Sequence, residues 1–381
     1  MDPAPQGRHI ITVGETHGQT HEHPQTHKNM TEQIWTIKKM LDWSRQYFAD
    51  NRIEDPALEA QVLLGHALHM SKVELIINGM RPMDASELAD YKAMVIRRVK
   101  EHVPTAYILG KKDFWSLSLD VSPDVLIPRP DTECLVEQVL AYVRAHLAGK
   151  PAPWIHAGNQ DVTYETIDSR QQYYEAVAEI ENSEKDTIHT ENESVDICEA
   201  EHIDNGAVPI KIVDVGTGSG AIILAIASEL SDIPRKLTAM DISSKALAIA
   251  KENASNLSVE DIEFIESDLL DRYKDTADII VSNPPYISND EMKMLSPEVL
   301  REPELALRAG DRGLDIYKRL IPQAFDKLKT GGALFVEIGC TQSQDVMALF
   351  EKSGFDHVQT FRDYAKKPRV VAGIKCGQIK S

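Results

Sequence analysis

The 381-residue chain is poor in cysteine, and its four (Cys134, Cys198, Cys340, Cys376) share no CxxC spacing. This argues against a disulfide framework and a zinc ribbon, and fits a reducing compartment. The chain also lacks any apolar run of the roughly 20 residues that cross a bilayer. Its first residues are polar and His-rich, unlike the apolar middle of a secretory signal. A cytoplasmic protein without a membrane partner is therefore expected. Basic charge is scarce too: 41 Lys and Arg stand against 60 Asp and Glu, a formal net charge of −19. Nucleic-acid binders usually carry a basic face, so no direct nucleic-acid partner is expected. What is present suffices for a sizeable core, with 42% hydrophobic residues, and the length fits about two to three domains.

Residues 1–30 hold five histidines (His9, His17, His21, His23, His27) and few large apolar residues. They read as a disordered tail. The pairs His17/His21 and His23/His27 are spaced for a metal on a helix, but no apolar stripe would hold such a helix in place, so no metal site is assigned. Residues 31–102 read as a small helical bundle. Its stripes are Ile34, Ile37, Leu41 and Phe48, then Ala57, Ala60, Leu64, Ala67 and Leu68, then Tyr91, Val95 and Val99, with breaks at Asp55-Pro56 and from Gly79 to Pro82. Residues 103–147 read as a hairpin linker, with a strand over Trp115–Val121, followed by the first helix of the next domain. That helix carries Leu135, Val136, Val139 and Leu140 and is capped by Asp131 or Thr132.

Residues 148–208 break the pattern. From Asp161 to Asp204 there are 14 acidic side chains against Arg170 and Lys185, a net of −12. The stretch reads as a mostly disordered acidic insertion, with one short helix near Tyr173–Ile180. Residues 209–376 alternate strands and helices. Strands are expected at Lys211–Val215, Lys236–Met240, Ile262–Ile265, Asp278–Val281 and Ala333–Glu337. Helices are expected at Ile222–Leu230, Lys245–Ala254 and Ile316–Leu328, the last kinked at Pro322 and closed by Gly331-Gly332. Two last strands, His357–Phe361 and Val370–Ile374, are joined too tightly for a crossover and should pair antiparallel. The result is an α/β fold, a doubly wound and mainly parallel sheet covered on both faces.

Three strand ends and one proline segment carry the chemistry. Asp214-Val215-Gly216-Thr217-Gly218-Ser219-Gly220 ends a strand and opens a helix at the edge where such sheets bind ligands. Glycines let the backbone turn and a ligand approach it. The spacing is GxGxG, and alone it also suits NAD binding or tight packing. Asp241 ends the next strand and can accept both hydroxyls of a ribose, or cap the helix near Ser244. Asp268 and Leu269 follow the third strand, placed to accept from an adenine amino group and to cover its ring. The most specific signal is Asn283-Pro284-Pro285-Tyr286. The Asn283 side-chain oxygen and the Pro284 carbonyl can both accept from one NH2 group. That holds a poorly nucleophilic planar nitrogen in line with a donor methyl and stabilises the charge that develops on it. Tyr286 can stack on the planar group.

The glycine loop with Asn-Pro-Pro-Tyr resembles class I methyltransferases that act on planar nitrogen. The wider set resembles the protein-(glutamine) methyltransferases of peptide-chain release factors, the PrmC/HemK family. The matching stretches are Pro104 to Gly110, Phe114, Leu126 to Glu133, the glycine loop, Ser282 to Ile287, Glu302-Pro303 with Ala306-Leu307, and Glu337-Ile338-Gly339. The resemblance implies a seven-stranded class I fold with an antiparallel final hairpin and a substrate-docking helical bundle. It implies S-adenosyl-L-methionine as cofactor, on a set taken here as Asp214, Gly216, Thr217, Gly218, Ser219, Gly220, Asp241, Asp268, Leu269 and Asn283. It implies transfer of one methyl to the glutamine amide of the Gly-Gly-Gln loop of class 1 release factors. Asn283, Pro284, Pro285 and Tyr286 would hold the glutamine, and Asn283, Pro284 and Tyr286 would serve the reaction. The rival expectation is an N-methyltransferase acting on an exocyclic amine of DNA or RNA, which would need a way to grip and flip a base.

Overall fold

The computed structural model describes residues 34–155 and 209–377. The His-rich tail and the acidic stretch with its expected short helix lie outside the described residues. Two compact units emerge. One runs to Lys111 and takes in Ser296–Arg301; the other comprises Lys112–Leu295 and the chain from Glu302 on.

The first unit is helical: α1 (Ile37–Asp50), α2 (Pro56–Leu68), α3 (Lys72–Ile77), α4 (Ala85–Val99) and α5 (Thr105–Leu109). Thr36 caps α1, and capping boxes at Ser71/Glu74 and Asp84/Glu87 start α3 and α4, each satisfying backbone N–H groups that the helix leaves unpaired. Ile37, Met40, Phe48, Leu63, Leu64, Tyr91 and Val95 form its core. Two positions differ from the expected stripes: Ile34 is exposed, and Ala57 faces solvent while Leu63 fills the interior. The bundle also runs past His102 through α5. Buried Arg98 is paired with Glu59 at 2.9 Å and with Glu298 at 2.6 Å. The second pair ties Ser296–Arg301 to this unit, because a buried guanidinium left unpaired would be costly.

The second unit opens with a hairpin, β1 (Lys111–Phe114) and β2 (Leu117–Asp120). Trp115 sits in its turn at φ +60°, so the expected strand from Trp115 begins two residues late. After α6 (Glu133–Leu147), the core reaches beyond residue 148, where the insertion was expected to begin. Ala152 and Trp154 are buried in the same cluster as α6, and Trp154 Nε1 donates to the His357 carbonyl at 3.0 Å.

The main sheet contains β3 (Ile210–Val215), β4 (Arg235–Asp241), β5 (Ile262–Glu266), β6 (Ala277–Ser282), β7 (Leu328–Glu337), β8 (Asp356–Arg362) and β9 (Pro368–Ile374). Their spatial order is β5-β4-β3-β6-β7-β9-β8. The first five run parallel, and β9 is antiparallel to both neighbours. Between these strands lie α7 (Ala221–Glu229), α8 (Ser244–Asn256), α9 (Asn289–Met292), α10 (Asp315–Lys327) and α11 (Ser343–Lys352). Alternate strand residues enter opposite layers, as the period of two demands. Ile212, Ile279 and Phe335 pack with α6 and α7, whereas Val213, Ile280 and Leu334 pack with α10 and α11.

Gly331-Gly332 do not close α10. They lie inside β7, at a register shift against β6. A Cβ on Gly332 would stand 2.9 Å from the Asp278 carbonyl, so the glycines mark an irregularity where two backbones approach closely. Cys134 and Cys340 are free thiols. Among the described residues no helix is long and apolar enough to cross a membrane, and no group of three or more His, Cys, Asp or Glu could hold a metal.

Candidate active site

The carboxyl ends of β3, β4, β5 and β6 meet where the sheet order reverses around β3, the place such sheets reserve for ligands. The cleft there is lined by Gly216, Thr217, Gly218 and Ser219, by Asp241, by Asp268 and Leu269, and by Asn283 and Pro285. Residues read at four separate places in the sequence thus share one concavity. Further wall comes from Phe114, Val125, Leu126, Pro128, Arg129 and Thr132 on one side, and from Pro303, Leu305, Ala306, Ile316 and Arg319 on the other.

Backbone and a few carboxylates shape the glycine loop. The N–H groups of Gly216 and Thr217 both donate to the Met240 carbonyl, at 2.8 and 2.9 Å. Gly218 has φ +56°, and a Cβ built there meets no protein atom within 4 Å. The space beside it is open cleft, as a cradle for a ligand requires. Asp241 does not cap α8: Ser243 does, accepting from Ala246 N. The Asp241 oxygens accept instead from the N–H groups of Ser243 and Gly218, each at 2.9 Å. Burial raises the Asp241 pKa, and those N–H groups oppose it.

Asp214 lies fully buried beneath the loop, with Oδ2 accepting from Thr217 Oγ1 at 2.7 Å. Burial pushes its carboxyl up to about 7 against that hydrogen bond, and the charge of Asp241 adds to the rise. Neither Asp214 nor Gly220 lines the cleft. Gly220 serves packing, since a Cβ there would stand 3.0 Å from Leu224 and 3.3 Å from Ala250. Asp268 is in the lining but is held by Arg319 Nη2 at 2.7 Å. Leu269 adopts φ +49°, a strained conformation for a leucine and one that clusters at binding sites.

The Asn283–Tyr286 segment leaves β6 half-buried. Asn283 Nδ2 donates to Thr132 Oγ1 at 3.2 Å, and Thr132 stands at the N-cap of α6 without a side-chain capping hydrogen bond. Pro284 is buried outside the lining, and so is the Tyr286 hydroxyl end, which donates to Glu337 Oε1 at 3.3 Å. The Tyr286 ring packs on the core layer of α10 and α11. The segment's backbone is fixed from behind. Gln342 Nε2 donates to the carbonyls of Tyr286, at 3.0 Å, and of Gly313, at 3.2 Å. Glu302 is buried, accepting from Ile127 N at 3.0 Å and pairing with Arg129. That carboxylate fastens the two outer walls of the cleft together.

Family comparison decides what this cleft belongs to. A model described as the PrmC N-terminal domain matches residues 39–110, and one described as the methyltransferase small domain matches residues 200–311. The protein named release factor glutamine methyltransferase from Geobacter sulfurreducens is 33% identical over 348 residues, 90% of this chain and 99% of that one. The protein of the same name from Haemophilus influenzae is 32% identical over 343 residues, 87% of this chain and 98% of that one.

The chain belongs to the release factor glutamine methyltransferase family. It is accordingly a methyltransferase, and the parallel sheet with its antiparallel last hairpin is the class I methyltransferase architecture. Within this family member, sequence reasoning missed Thr132, Glu302, Glu337 and Gln342 as parts of the site. Three of them lie in or beside segments that resemble the family, and that position was the available signal. Their roles depend on partners distant in the chain.

Proposed function

We propose that the chain transfers a methyl group from S-adenosyl-L-methionine to the side-chain amide nitrogen of the glutamine in the Gly-Gly-Gln loop of class 1 peptide-chain release factors. The observation that carries the reading is the shared cleft: the open glycine loop and the amide of Asn283 face one space. The residues present fit the cofactor. Gly216 and Gly218 leave room for it against the backbone, Asp241 offers carboxylate oxygens to a ribose, and Asp268 and Leu269 border the place for an adenine. When bound, the cofactor supplies an electrophilic methyl.

The chain's own residues do the rest. The Asn283 oxygen and the Pro284 carbonyl accept from the glutamine NH2 and orient its nitrogen toward the methyl. They also stabilise the positive charge that grows on that nitrogen as the bond forms; the amide protons become acidic then, and one is lost to solvent to leave the neutral methylated amide. Pro285 borders the planar group, and Tyr286 anchors the segment through its hydroxyl. Residues 31–102 would dock the substrate protein. The acidic composition and the names of the relatives support a protein acceptor over the exocyclic amine of a nucleic acid. The test is incubation with methyl-labelled S-adenosyl-L-methionine and, in parallel, release factor, DNA and RNA. Label is expected on the release factor alone; label on nucleic acid alone would overturn the reading.

A further inference from the structure

Between Ser282 and Tyr286 the chain is a short strap with two prolines, which hold φ at about −65° and leave the strap little freedom to adjust. Where the Pro284 carbonyl points thus depends on how the two ends of the strap are held. Ser282 holds the first end. It is the last residue of β6, in register with β3 and β7, and its hydroxyl donates to the Val215 carbonyl at 2.6 Å. The second end is held at the Tyr286 carbonyl, which accepts from Gln342 Nε2 at 3.0 Å.

Gln342 stands at the N-cap of α11 and is buried outside the cleft lining. Its partners fix which way its amide faces. Oε1 accepts from the Gly339 N–H at 3.0 Å, and a backbone N–H can only donate. Nε2 faces the carbonyls of Tyr286 at 3.0 Å, Gly313 at 3.2 Å and Arg312 at 3.3 Å, and carbonyls can only accept. One side chain joins the segments that follow β6, precede α10 and follow β7. Two glycines let these segments close on it. A Cβ on Gly313 would collide with the Tyr286 carbonyl and with Gln342 Nε2, and one on Gly339 would stand 2.9 Å from Gln342 Oε1. We propose that Gln342 is a positioning residue: by donating to the Tyr286 carbonyl it sets the course of the proline strap, and with it the direction of the Pro284 carbonyl that receives the substrate NH2. The inference rests on the glutamine-amide reading, in which an acceptor turned out of line misaligns the nucleophile.

Exchanging the donor for an acceptor separates this role from packing. In Gln342→Glu the new carboxyl keeps one oxygen for the Gly339 N–H and turns the other toward three carbonyls. Ionised, it repels them; protonated, it donates to one of them. Burial among carbonyls favours the protonated form, so the carboxyl should titrate above the usual carboxylate range. The ratio of kcat in the variant to kcat in wild type should be near one at low pH and fall as pH rises. The titratable groups on the segments packed there are Tyr286, Asp311, Asp315, Glu337, Cys340 and Asp345, with Arg312 paired to Asp345 at 2.8 Å. Both proteins carry them, so their titration cancels in the ratio.

The full chain is assayed on release factor as wild type, Gln342→Glu and Gln342→Met, from about pH 5.5 to about pH 9. Melting temperature and S-adenosylhomocysteine affinity are followed over the same range. Gln342→Glu should keep kcat within about threefold of wild type at the acid end and lose about tenfold or more at the alkaline end. Its KM for release factor and its S-adenosylhomocysteine affinity should stay within about threefold throughout. Gln342→Met, of similar length but without a donor, should lose about tenfold or more in kcat at every pH. Amide hydrogen exchange by NMR reads the strap itself. At the alkaline end the Ile287 N–H, bonded to the Leu307 carbonyl at 2.9 Å, should lose protection relative to wild type in Gln342→Glu, while the Gly339 N–H keeps its acceptor and its protection. A kcat ratio for Gln342→Glu that does not change with pH, or wild-type kcat in Gln342→Met, would overturn the proposal. So would a loss shared with cofactor affinity and KM, which would make Gln342 a packing residue. Should Gln342→Met fail to fold, Gln342→Glu decides alone. A wild-type chain that methylates no glutamine would remove the glutamine-amide reading instead; exchange at Ile287 would still judge the hold on the strap, and unchanged protection there overturns it.

Discussion

The glycine loop at Asp214–Gly220 and the segment at Asn283–Tyr286 each lend residues to one cleft, yet they are held in different ways. The loop is shaped by its own backbone: glycines at positive φ, and N–H groups given to the Met240 carbonyl and the Asp241 carboxylate. Most of what fixes it lies on the neighbouring strand. The Asn283–Tyr286 segment is fixed by side chains from distant parts of the chain. Thr132 stands 151 positions from Asn283, and Glu337 stands 51 from Tyr286. A ligand contacting main chain needs space and dipoles, which a short motif supplies. A nucleophile that must be aligned needs preorganised polar groups, and those need supports of their own.

The largest effect should come from the acceptor side. Asn283→Ala is expected to lower turnover about a hundredfold or more, as loss of a preorganised polar contact does. Melting temperature and S-adenosylhomocysteine affinity should stay near wild type. Turnover like wild type would show that the segment does not align the nucleophile.

The loop should respond in the opposite sense. A valine at Gly218 meets no protein atom near its Cβ, so the fold should survive. The positive φ and the filled cleft should nevertheless weaken cofactor binding about tenfold or more. Calorimetry showing unchanged affinity would move the cofactor elsewhere.

A third, smaller effect concerns the buried acid under the loop. Asp214 titrates near 7 when folded and near 4 when unfolded. Between those values the folded state holds more protons, so this group makes stability fall as pH rises from about 4 to about 7 and level off above. Asp214→Asn, which keeps an acceptor for Thr217, should flatten that fall by on the order of 1–2 kcal/mol between about pH 5 and 8. Denaturant midpoints at the two pH values measure it, and parallel curves for wild type and variant would contradict it.

The smallest effect is expected at the rim. Arg319 and Asp268 pair at 2.7 Å with side chains 47% and 42% exposed, and such pairs contribute about 1 kcal/mol or less. Arg319→Ala should therefore leave melting temperature nearly unchanged and shift cofactor affinity by less than about threefold. A large loss would mean that the pair holds Asp268 in its binding position, which would make this part of the cofactor side depend on side chains after all.

The same contrast explains what the sequence made legible. The order of strands and helices around the sheet could be read because the central strands, such as β3, β6 and the end of β7, are apolar runs bounded by turn residues. The glycine loop and Asn283 were legible as local motifs. The short helices α3 and α5 were not, because five or six residues show too little of a 3.6-residue period. Gly331-Gly332 looked like a helix stop, when the close approach of β6 demanded them inside a strand. Thr132 was read as a cap because a threonine before a helix usually is one. Nothing within its own segment reveals that Asn283 takes its oxygen. Glu337 is an acid at the end of a strand that is mostly apolar, and its partner Tyr286 is brought to it only by the fold.

The central claim is that this cleft methylates a glutamine amide held by Asn283. The most direct test is to react the full chain with S-adenosyl-L-methionine and a class 1 release factor, then locate the added methyl by fragment mass spectrometry. One methyl is expected on the side-chain amide of the Gly-Gly-Gln glutamine, formed by wild type and nearly absent with Asn283→Ala. A methyl on another residue, or equal modification by wild type and variant, would contradict it.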